Sequence, residues 1–577
     1  TRFNLVAAEE RTQIYSNMTH EMGNGVEMTA ELGYSMNKVT ENPQSPSYPD
    51  LTFPLIPESH PSNPLGVPLV WLGRPLAFDA PSPNAERKND TLRASLGFKG
   101  QFANGMDWDA AVTHSSNEYS ARQPDTISSR LRAGLAGTGG PNNDEYYDPF
   151  DASNNSDALI ADMSYMTDTM RTTDLTVLDG VVSGELMTLS SGAAVDFAAG
   201  FQVRSEGYKT ETDDLYEIQF DADGAPIPID LIFLGGVSEI DESRTSYSMF
   251  AEAQTNLAEN LELTAAVRYE NVDTGDSIDP KIALRWQVTD QLALRASAST
   301  AFREPSLSQI NAQVVNLAGL QDFNADGTPN GGVAFVRVTS SGSDDLEAEE
   351  SDNFNIGLLY QPTDDLDIKL DYWKVDYTNL ITVENSQGKL AADINGPDIV
   401  RSATGTLAGV YVDYFNSSSV DVEGIDLEVQ YKVSDNLNLG MNVAHFLQYD
   451  ITAPTGEVIE AAGYFNNNNF ARSMPETKAN VVLAWSNGEQ DASLNISYIS
   501  DYQHSQPVDP MGISSYTTAD AQYGFRVMED ALALSVGVKN LTDEKPPRVS
   551  DAANFSYDPK QHSPLGRVFY LKGKYSF

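Results

Sequence analysis

The lengths of the connections between strand-like segments constrain this chain more than any other feature of its sequence. Apolar and polar residues alternate with period two over segments of roughly 9–14 residues, as in Asp279–Val288 and Ala531–Asn540. The connections between these segments are short and long in turn, and 273–277 is the exception. The short ones contain the Asn, Gly, Asp and Pro residues of tight hairpins, as in Gly23–Gly25, Thr289–Asp290 and Asn487–Glu489. The long ones are 37–89, 119–171, 207–243, 301–350, 377–419, 449–476, 500–515 and 541–564.

This pattern predicts about nineteen strands of an all-β, transmembrane, antiparallel up-and-down barrel, because outer-membrane barrels have short periplasmic turns and long extracellular loops. A soluble sandwich or propeller has no reason to sort its loops by end. If the last of nineteen alternating strands descends to the periplasm, the first strand also descends. Barrels of this kind usually have an even number of strands and both chain ends in the periplasm, so an odd number of strands is expected before the first one. Three further strands would complete a barrel of about 22. The segments lie near 11–20, 26–36, 90–102, 107–118, 172–188, 192–206, 244–256, 261–272, 278–288, 292–300, 351–361, 365–376, 420–432, 436–448, 477–486, 491–499, 516–526, 531–540 and 565–577.

Composition excludes several classes of protein. The 577 residues carry 83 acidic and 36 basic side chains, for a net charge of −47, which argues against nucleic acid because phosphate binding needs a basic surface. There is no cysteine, so disulfides and thiol chemistry are excluded. No apolar run approaches about 18 residues, so no transmembrane helix is predicted. The six histidines are scattered and no catalytic motif is present, which predicts that the chain is not an enzyme.

The end of the chain carries the most specific local pattern. Within Arg567–Phe577, Phe569, Leu571, Tyr575 and Phe577 alternate with the other residues, and the final residue is aromatic. This is typical of the C-terminal strand of outer-membrane barrels. Aromatic residues inside or near other strand ends fit an interfacial girdle: Trp108, Tyr247, Tyr269, Trp286, Tyr360, Trp373, Tyr431, Trp485 and Tyr523 among them.

Four segments resemble, in sequence and in order, the TonB-dependent outer-membrane receptors. They are Ala298–Leu307 (ASTAFREPSL), Leu346–Ser351 (LEAEES, with Ala348 in place of the usual Pro), Tyr372–Ile381 (YWKVDYTNLI) and Val538–Pro547 (VKNLTDEKPP). The resemblance covers residues 244–577 well. Residues 1–243 follow from the strand pattern, although Asn63-Pro-Leu-Gly66 also resembles a loop of large members.

The resemblance implies that residues 1–577 are one barrel domain of a Gram-negative outer-membrane receptor, without the N-terminal plug and about three strands that members of the family have. It implies TonB-coupled uptake of a scarce nutrient: a siderophore, haem, cobalamin, an oligosaccharide or a peptide. The implied partners are the TonB complex, through a plug and TonB box outside this chain, outer-membrane lipid and lipopolysaccharide, and a surface lipoprotein. The alternatives are a plugless porin or surface-binding barrel, and a soluble secreted carbohydrate-binding β protein.

Two candidate sites stand out in the long connections. Asp322, Asn324 and Asp326 have the oxygen-ligand spacing of the first half of a Ca²⁺ loop, but the twelfth position is Val333 and supplies no bidentate carboxylate. A hydrogen-bonded turn explains the same residues and is the favoured interpretation. Arg303 and Glu304 follow a strand at its outer end, where they either line a ligand vestibule or lock a loop through an ion pair; the ion pair is favoured. No other ligand-binding residues are assigned.

Overall fold

The computed structural model describes residues 6–41, 54–71, 84–220, 226–402, 405–453, 456–466, 471–504, 512–528, 531–549 and 556–576. Twenty-seven strands and four α-helices lie in these ranges and are numbered in chain order. The strands of the main sheet are β1 (Ala8–Gly23), β2 (Val26–Glu41), β5 (Ala85–Gln101), β6 (Asp107–Thr126), β7 (Ser164–Thr188), β8 (Ala194–Thr212), β11 (Ile240–Ala258), β12 (Leu261–Val272), β13 (Gly275–Thr289), β14 (Leu292–Arg303), β17 (Glu349–Thr363), β18 (Leu366–Val383), β20 (Leu407–Ser434), β21 (Leu437–Thr452), β23 (Thr477–Ser486), β24 (Gln490–Ile499), β25 (Tyr516–Val527), β26 (Leu532–Lys539) and β27 (Val568–Tyr575).

The remaining elements lie within the long connections. The strands are β3 (Leu55–Ile56), β4 (Leu69–Val70), β9 (Gln219–Phe220), β10 (Pro226–Ile227), β15 (Gln313–Phe323), β16 (Pro329–Ser341), β19 (Ile399–Arg401) and β22 (Val458–Glu460). The helices are α1 (Ser128–Leu135), α2 (Asp157–Met163), α3 (Leu307–Asn311) and α4 (Ser386–Ala392), with a 3-10 turn at Ala152–Asn154. In the described part of the chain, no helix has the length and apolar content that crossing a membrane would require.

Each of the nineteen predicted segments is confirmed as a strand of the main sheet, and the short connections that lie within the described residues are its hairpin turns. The largest differences lie at the ends that meet the long connections. β6 continues to Thr126, β7 begins already at Ser164, and β20 begins at Leu407. The extensions of β6 and β7 bear polar residues on both faces, so they lack the apolar alternation by which the sequence marks a strand, whereas the β20 extension is apolar and packs into a buried cluster. Phe577 lies outside the described residues.

The main sheet is an up-and-down meander. Each of its strands pairs antiparallel with the next, from β1–β2 and β2–β5 through β25–β26 to β26–β27. Because cross-strand partners point to the same face, the register sorts side chains into rows that run across the sheet. One such row is almost entirely apolar and comprises Leu261, Trp286, Leu294, Leu358, Leu370, Leu427 and Val443.

The neighbouring row lies on the opposite face and is polar. Arg295 and Asp371 lie on either side of Gly357 in this row, and they form a bidentate ion pair with N–O distances of 3.0 and 2.5 Å. A side chain at Gly357 would collide with this pair, since a Cβ there would lie 2.1 Å from Asp371 Oδ1. The two faces therefore differ in chemistry as the inside and outside of a membrane barrel do, with apolar residues towards lipid.

The buried apolar clusters of the described residues lie largely in the long connections. One joins Leu131 and Leu135 of α1 to Tyr147, Leu159 and Met163, and to Ile56 of the short β3–β4 ribbon. A second packs β15, β16 and α4 against the outer end of β20. On the apolar face of the wall, by contrast, Trp286 is 46% exposed and Leu571 76% exposed. Each such side chain contributes about 1.5–3 kcal/mol only when it leaves water, so this face requires lipid.

Candidate functional site

The outer connections enclose a cavity of about 430 Å³. Its walls come from four parts of the chain: the first turn of α1, the segment 227–235, the β15–β16 hairpin, and the β19–β20 region. The hairpin is held in place because β16 pairs parallel with the outer end of β20, from Arg337↔Gly409 to Ser341↔Asp413. One side of the site is therefore carried by a small sheet with its own apolar core, and the irregular segment 228–235 forms another side.

Two guanidinium groups, those of Arg132 and Arg337, line this cavity in a chain whose net charge is −47. The carboxylate of Asp230 also lines it, but this group accepts from the backbone N–H and the hydroxyl of Ser129 at the start of α1. Arg337 donates to the carbonyl oxygen of Leu231 at 3.3 Å. Its guanidinium is thus held at the wall of the cavity.

A buried carboxylate fixes the same wall from behind. Asp125, at the outer end of β6 and well beyond its membrane-crossing part, is 1% exposed. Its Oδ2 accepts from the N–H groups of Leu234 at 2.7 Å and Phe233 at 3.2 Å, and its Oδ1 accepts from Thr126 N. Burial raises the pKa of Asp125 to about 6, against the opposing effects of these N–H groups and of Arg337.

Most of the remaining lining is apolar or aromatic, and Ser128 and Thr339 are polar. It includes Ile227, Pro228, Ile229, Val315, Val410 and Tyr411. Gly235 lies so close to β15 that a Cβ there would be 2.0 Å from the carbonyl oxygen of Val315, so this position admits no side chain. A cavity of this volume, apolar with a few cationic groups, suits an anion that carries apolar or aromatic surface.

The candidate residues Arg303 and Glu304 form ion pairs, which confirms the favoured interpretation. Arg303 Nε donates to Glu349 Oε2 at 2.5 Å, and Glu349 Oε1 accepts from the backbone N–H of Ile381 at 2.9 Å. Three of the four motif segments therefore meet at one carboxylate, at the outer ends of β14, β17 and β18. Glu304 lies 3.1 Å from Arg244 Nη1, and the side chains of both are 6% exposed.

We call the ion pairs of Arg303 with Glu349 and of Glu304 with Arg244 the lock, and their contacts continue into the connection that follows β14. Arg244 Nη1 also donates to the carbonyl oxygen of Pro305 at 2.6 Å, and its Nε donates to Glu206. Ser306 then caps α3, in a capping box with Gln309. Burial raises the pKa of Glu304, although Arg244 acts in the opposite direction. The motif residues fix the angle at which the 305–348 connection leaves the wall.

The structure places Asp322, Asn324 and Asp326 in the β15–β16 hairpin but does not direct them to a common point. Asp322 accepts from Arg401 Nη1 and Nη2 at 2.9 and 2.7 Å. Asp326 accepts from the N–H and hydroxyl of Thr328, and Asn324 Nδ2 donates to the same hydroxyl. No group of three or more His, Asp or Glu residues suited to a metal ion occurs within the described ranges. A Ca²⁺ site at these residues stays a prediction.

A second cavity, of about 770 Å³, lies on the polar face of the wall between β14 and β24. Its lining is mixed. The polar side chains are Arg295, Lys369, Asp371, Asp426, Glu428, Asn442, Lys478, Asn480 and Ser497, and the others are apolar or aromatic, among them Leu359, Leu427, Val443 and Tyr498. Lys369 Nζ lies 3.1 and 3.2 Å from the carboxylate oxygens of Glu428. The charged and amide groups of this surface can form hydrogen bonds with a polar occupant of the lumen.

The sequence alone does not mark Arg132, Arg337 or Tyr411 as site residues. The three residues are far apart along the chain, and a lone arginine in an acidic loop carries no spacing that marks a site. One sequence pattern does indicate the element that carries Arg337. The alternation of apolar residues at Leu320 and its neighbours and at Val336 and Val338 predicts a hairpin inside the connection 301–350, and this hairpin carries Arg337.

Comparison with known proteins identifies relatives of the whole architecture. The family described as TonB dependent receptor-like, beta-barrel matches residues 37–541. The ferric enterobactin receptor of Pseudomonas aeruginosa is 24% identical over 339 residues, which are 57% of this chain and 42% of that receptor. The chain therefore aligns with less than half of that relative's length.

Solved structures agree on the fold. The siderophore receptor PirA from Acinetobacter baumannii superposes with a TM-score of 0.64 at 14% identity, covering 99% of this chain and 72% of PirA. A variant of the ferric enterobactin receptor PfeA from Pseudomonas aeruginosa gives a TM-score of 0.52 at 16% identity, covering 99% of this chain and 80% of PfeA. At these identities the similarity concerns the architecture alone.

Proposed function

This chain belongs to the family of TonB dependent receptor-like β-barrels, and on that premise we propose that it takes up a ferric siderophore across the outer membrane of a Gram-negative bacterium. Members of the family are outer-membrane receptors and transporters, and the chain is not an enzyme. The relatives described above are siderophore receptors, which favours a siderophore over haem, cobalamin, an oligosaccharide or a peptide. Energy from the TonB complex and a plug domain inside the barrel are parts of this proposal.

The observation that carries the proposal is the pair of guanidinium groups in the outer cavity. A ferric ion chelated by three doubly charged catecholates bears a net negative charge, and long-range repulsion from an acidic protein opposes its approach. Arg132 and Arg337 supply local positive charge where the ligand would dock, next to apolar and aromatic surface. Planar guanidinium groups are suited to oxygen-rich anions and to the faces of aromatic rings.

The polar cavity on the inner wall supports the same proposal. A plug would press hydrogen-bonding groups against the pairs Arg295–Asp371 and Lys369–Glu428, whose side chains already alternate in sign. Such pairs exchange partners with water or protein at little cost, about 0–1 kcal/mol each. The wall can therefore hold a plug and let it move.

Binding and uptake by the full-length receptor test the proposal. We expect Arg337→Gln and Arg132→Gln each to weaken binding of a ferric triscatecholate at least about tenfold, because each removes one charge from the cavity. Arg130→Gln is the matched control, since Arg130 lies on the same helix, is 49% exposed and pairs with Asp162. Uptake of radiolabelled iron should stop in cells that lack TonB. Uptake that persists without TonB would favour a passive porin instead.

A further inference from the structure

A buried histidine joins three of the outer connections at the C-terminal side of the barrel. His562 is 4% exposed, and it lies next to Tyr502, which is 1% exposed, and Asp558, which is 0% exposed. Tyr502 Oη lies 3.0 Å from His562 Nε2 and 3.1 Å from Asp558 Oδ2. The ring of Tyr516 meets the imidazole edge-on, with the ring centres 4.8 Å apart. The imidazole is thus enclosed by two aromatic rings and one carboxylate.

This cluster holds separate parts of the chain together. Tyr502 follows β24, and Asp558 and His562 belong to the connection before β27. Gln561 donates to the carbonyl oxygen of Ser473 at 2.7 Å, and so ties the same connection to the one that follows β22. That connection in turn pairs with the segment after β24, since the N–H of Phe465 donates to the carbonyl oxygen of Gln503. Two connections therefore meet at the imidazole, and a third is tied to both of them by hydrogen bonds.

The hydrogen bonds define the state of His562 in this closed arrangement. Tyr502 has one hydroxyl proton, and its strongest acceptor is the buried Asp558 carboxylate, whose other oxygen accepts from the N–H of Lys560. His562 Nε2 must then carry a proton and donate to Tyr502 Oη. His562 Nδ1 is left as a lone pair that is buried and has no partner among the described residues. A proton added at Nδ1 would create a buried charge whose N–H has no acceptor.

The charged groups around the imidazole act in both directions. Asp558 favours the imidazolium, whereas Lys478 of β23 disfavours it. Glu544 and Asp520 interact with the hydroxyl of Tyr516 on the far side of that ring. Burial is the largest effect and lowers the pKa of His562 from its ordinary value of 6.5 to about 4. In water, with the three connections apart, the imidazole regains the ordinary value.

We propose that His562 is a proton-sensitive latch, which keeps these three connections closed at neutral pH and releases them on acidification. The closed arrangement binds a proton less well than the open one, so proton uptake draws the equilibrium towards the open state. The latch begins to weaken as pH falls below about 6.5 and weakens progressively until about pH 4. This role is independent of the siderophore-binding proposal, because the cluster shares no residue with the cavity of Arg132 and Arg337.

Hydrogen exchange of the purified receptor in detergent tests the latch. After correction for intrinsic rates, protection of 556–567 and of the segment around Tyr502 should fall about 20-fold between pH 7 and pH 5, as expected for one proton bound with these two pKa values. His562→Phe keeps an aromatic ring in the site and removes the titrating group, so its protection should be the same at both pH values. His20→Gln, at an exposed position on β1, should behave as the wild type does.

Two results would overturn the latch. One is unchanged wild-type protection at pH 5, and the other is the same pH dependence in His562→Phe. If the variant does not assemble into a heat-modifiable barrel, the titration of the His562 ring resonance in the wild type decides the matter. A midpoint near 4 supports the latch, and a midpoint near 6.5 contradicts it. Neither outcome depends on whether the receptor binds a siderophore.

Discussion

Apolar side chains are exposed on the wall of the barrel and buried in its outer connections. In the wall, Trp286, Phe569 and Leu571 face outward and stay exposed, and charged pairs such as Arg295–Asp371 occupy the other face. In the connections, Leu131, Leu159 and Val336 are buried as in a soluble protein. The wall depends on lipid and on the hydrogen-bond ladder that joins each strand to the next, whereas the connections depend on their own packing. The two regions should therefore fail independently when mutated.

The largest effect should come from emptying a core in the connections. Leu131→Ala removes a fully buried side chain from the cluster around α1, which should destabilise that cluster by about 2–5 kcal/mol. Proteolysis within 127–163 should become faster, while the heat-modifiable mobility of the barrel stays unchanged. Leu65→Ala is the control, because Leu65 is 69% exposed. Loss of the barrel itself would show that the two regions are one cooperative unit.

A charge on the lipid-facing row of the wall should instead destabilise the barrel and leave the packing of the outer connections unchanged. Leu370→Arg places a cation near the middle of β18 on its apolar face, at a cost of about 2–4 kcal/mol for folding into bilayers. Lys369→Arg, one residue away on the polar face, should be neutral. Urea titration of vesicle-inserted protein measures both. Equal effects of the two substitutions would mean that the faces are assigned wrongly.

The lock between the regions should give an intermediate effect. Glu349→Ala removes the acceptor shared by Arg303 and the Ile381 N–H, and we expect a loss of about 1–3 kcal/mol that is confined to the outer strand ends. Hydrogen exchange of Ile381 and of the first residues of the 305–348 connection should report it. Glu350→Ala is the neighbouring control. Faster exchange in the control alone would contradict the lock.

The smallest effect should come from an exposed pair on the inner wall. Lys369→Gln breaks the contact with Glu428, and both side chains are more than a third exposed, so stability should change by no more than about 1 kcal/mol. The change should shrink further as salt is added. A large, salt-independent loss would show that this face is dry instead of water-filled.

The sequence predicts the wall far better than the connections, for a physical reason. A wall strand shows its two environments in adjacent residues, so Leu370 and Asp371 reveal the faces without any knowledge of their neighbours. In the connections, interacting residues are far apart in the sequence. Arg132 and Arg337 line the same cavity, and Tyr502 contacts His562 in the latch. The spacing of Asp322, Asn324 and Asp326 shows the same difficulty. Arg401 lies in another connection, and nothing in the sequence indicates that it binds the Asp322 carboxylate.

Single cysteines along β18 test the central claim most directly, and the absence of native cysteine gives a clean background. Residues 368–373 would be replaced one at a time in the receptor in bilayers and labelled with a probe that distinguishes lipid from water. Positions 368, 370 and 372 should report lipid, and positions 369, 371 and 373 should report an aqueous or protein-lined interior. A profile without this period of two would contradict a barrel wall with an apolar outer face.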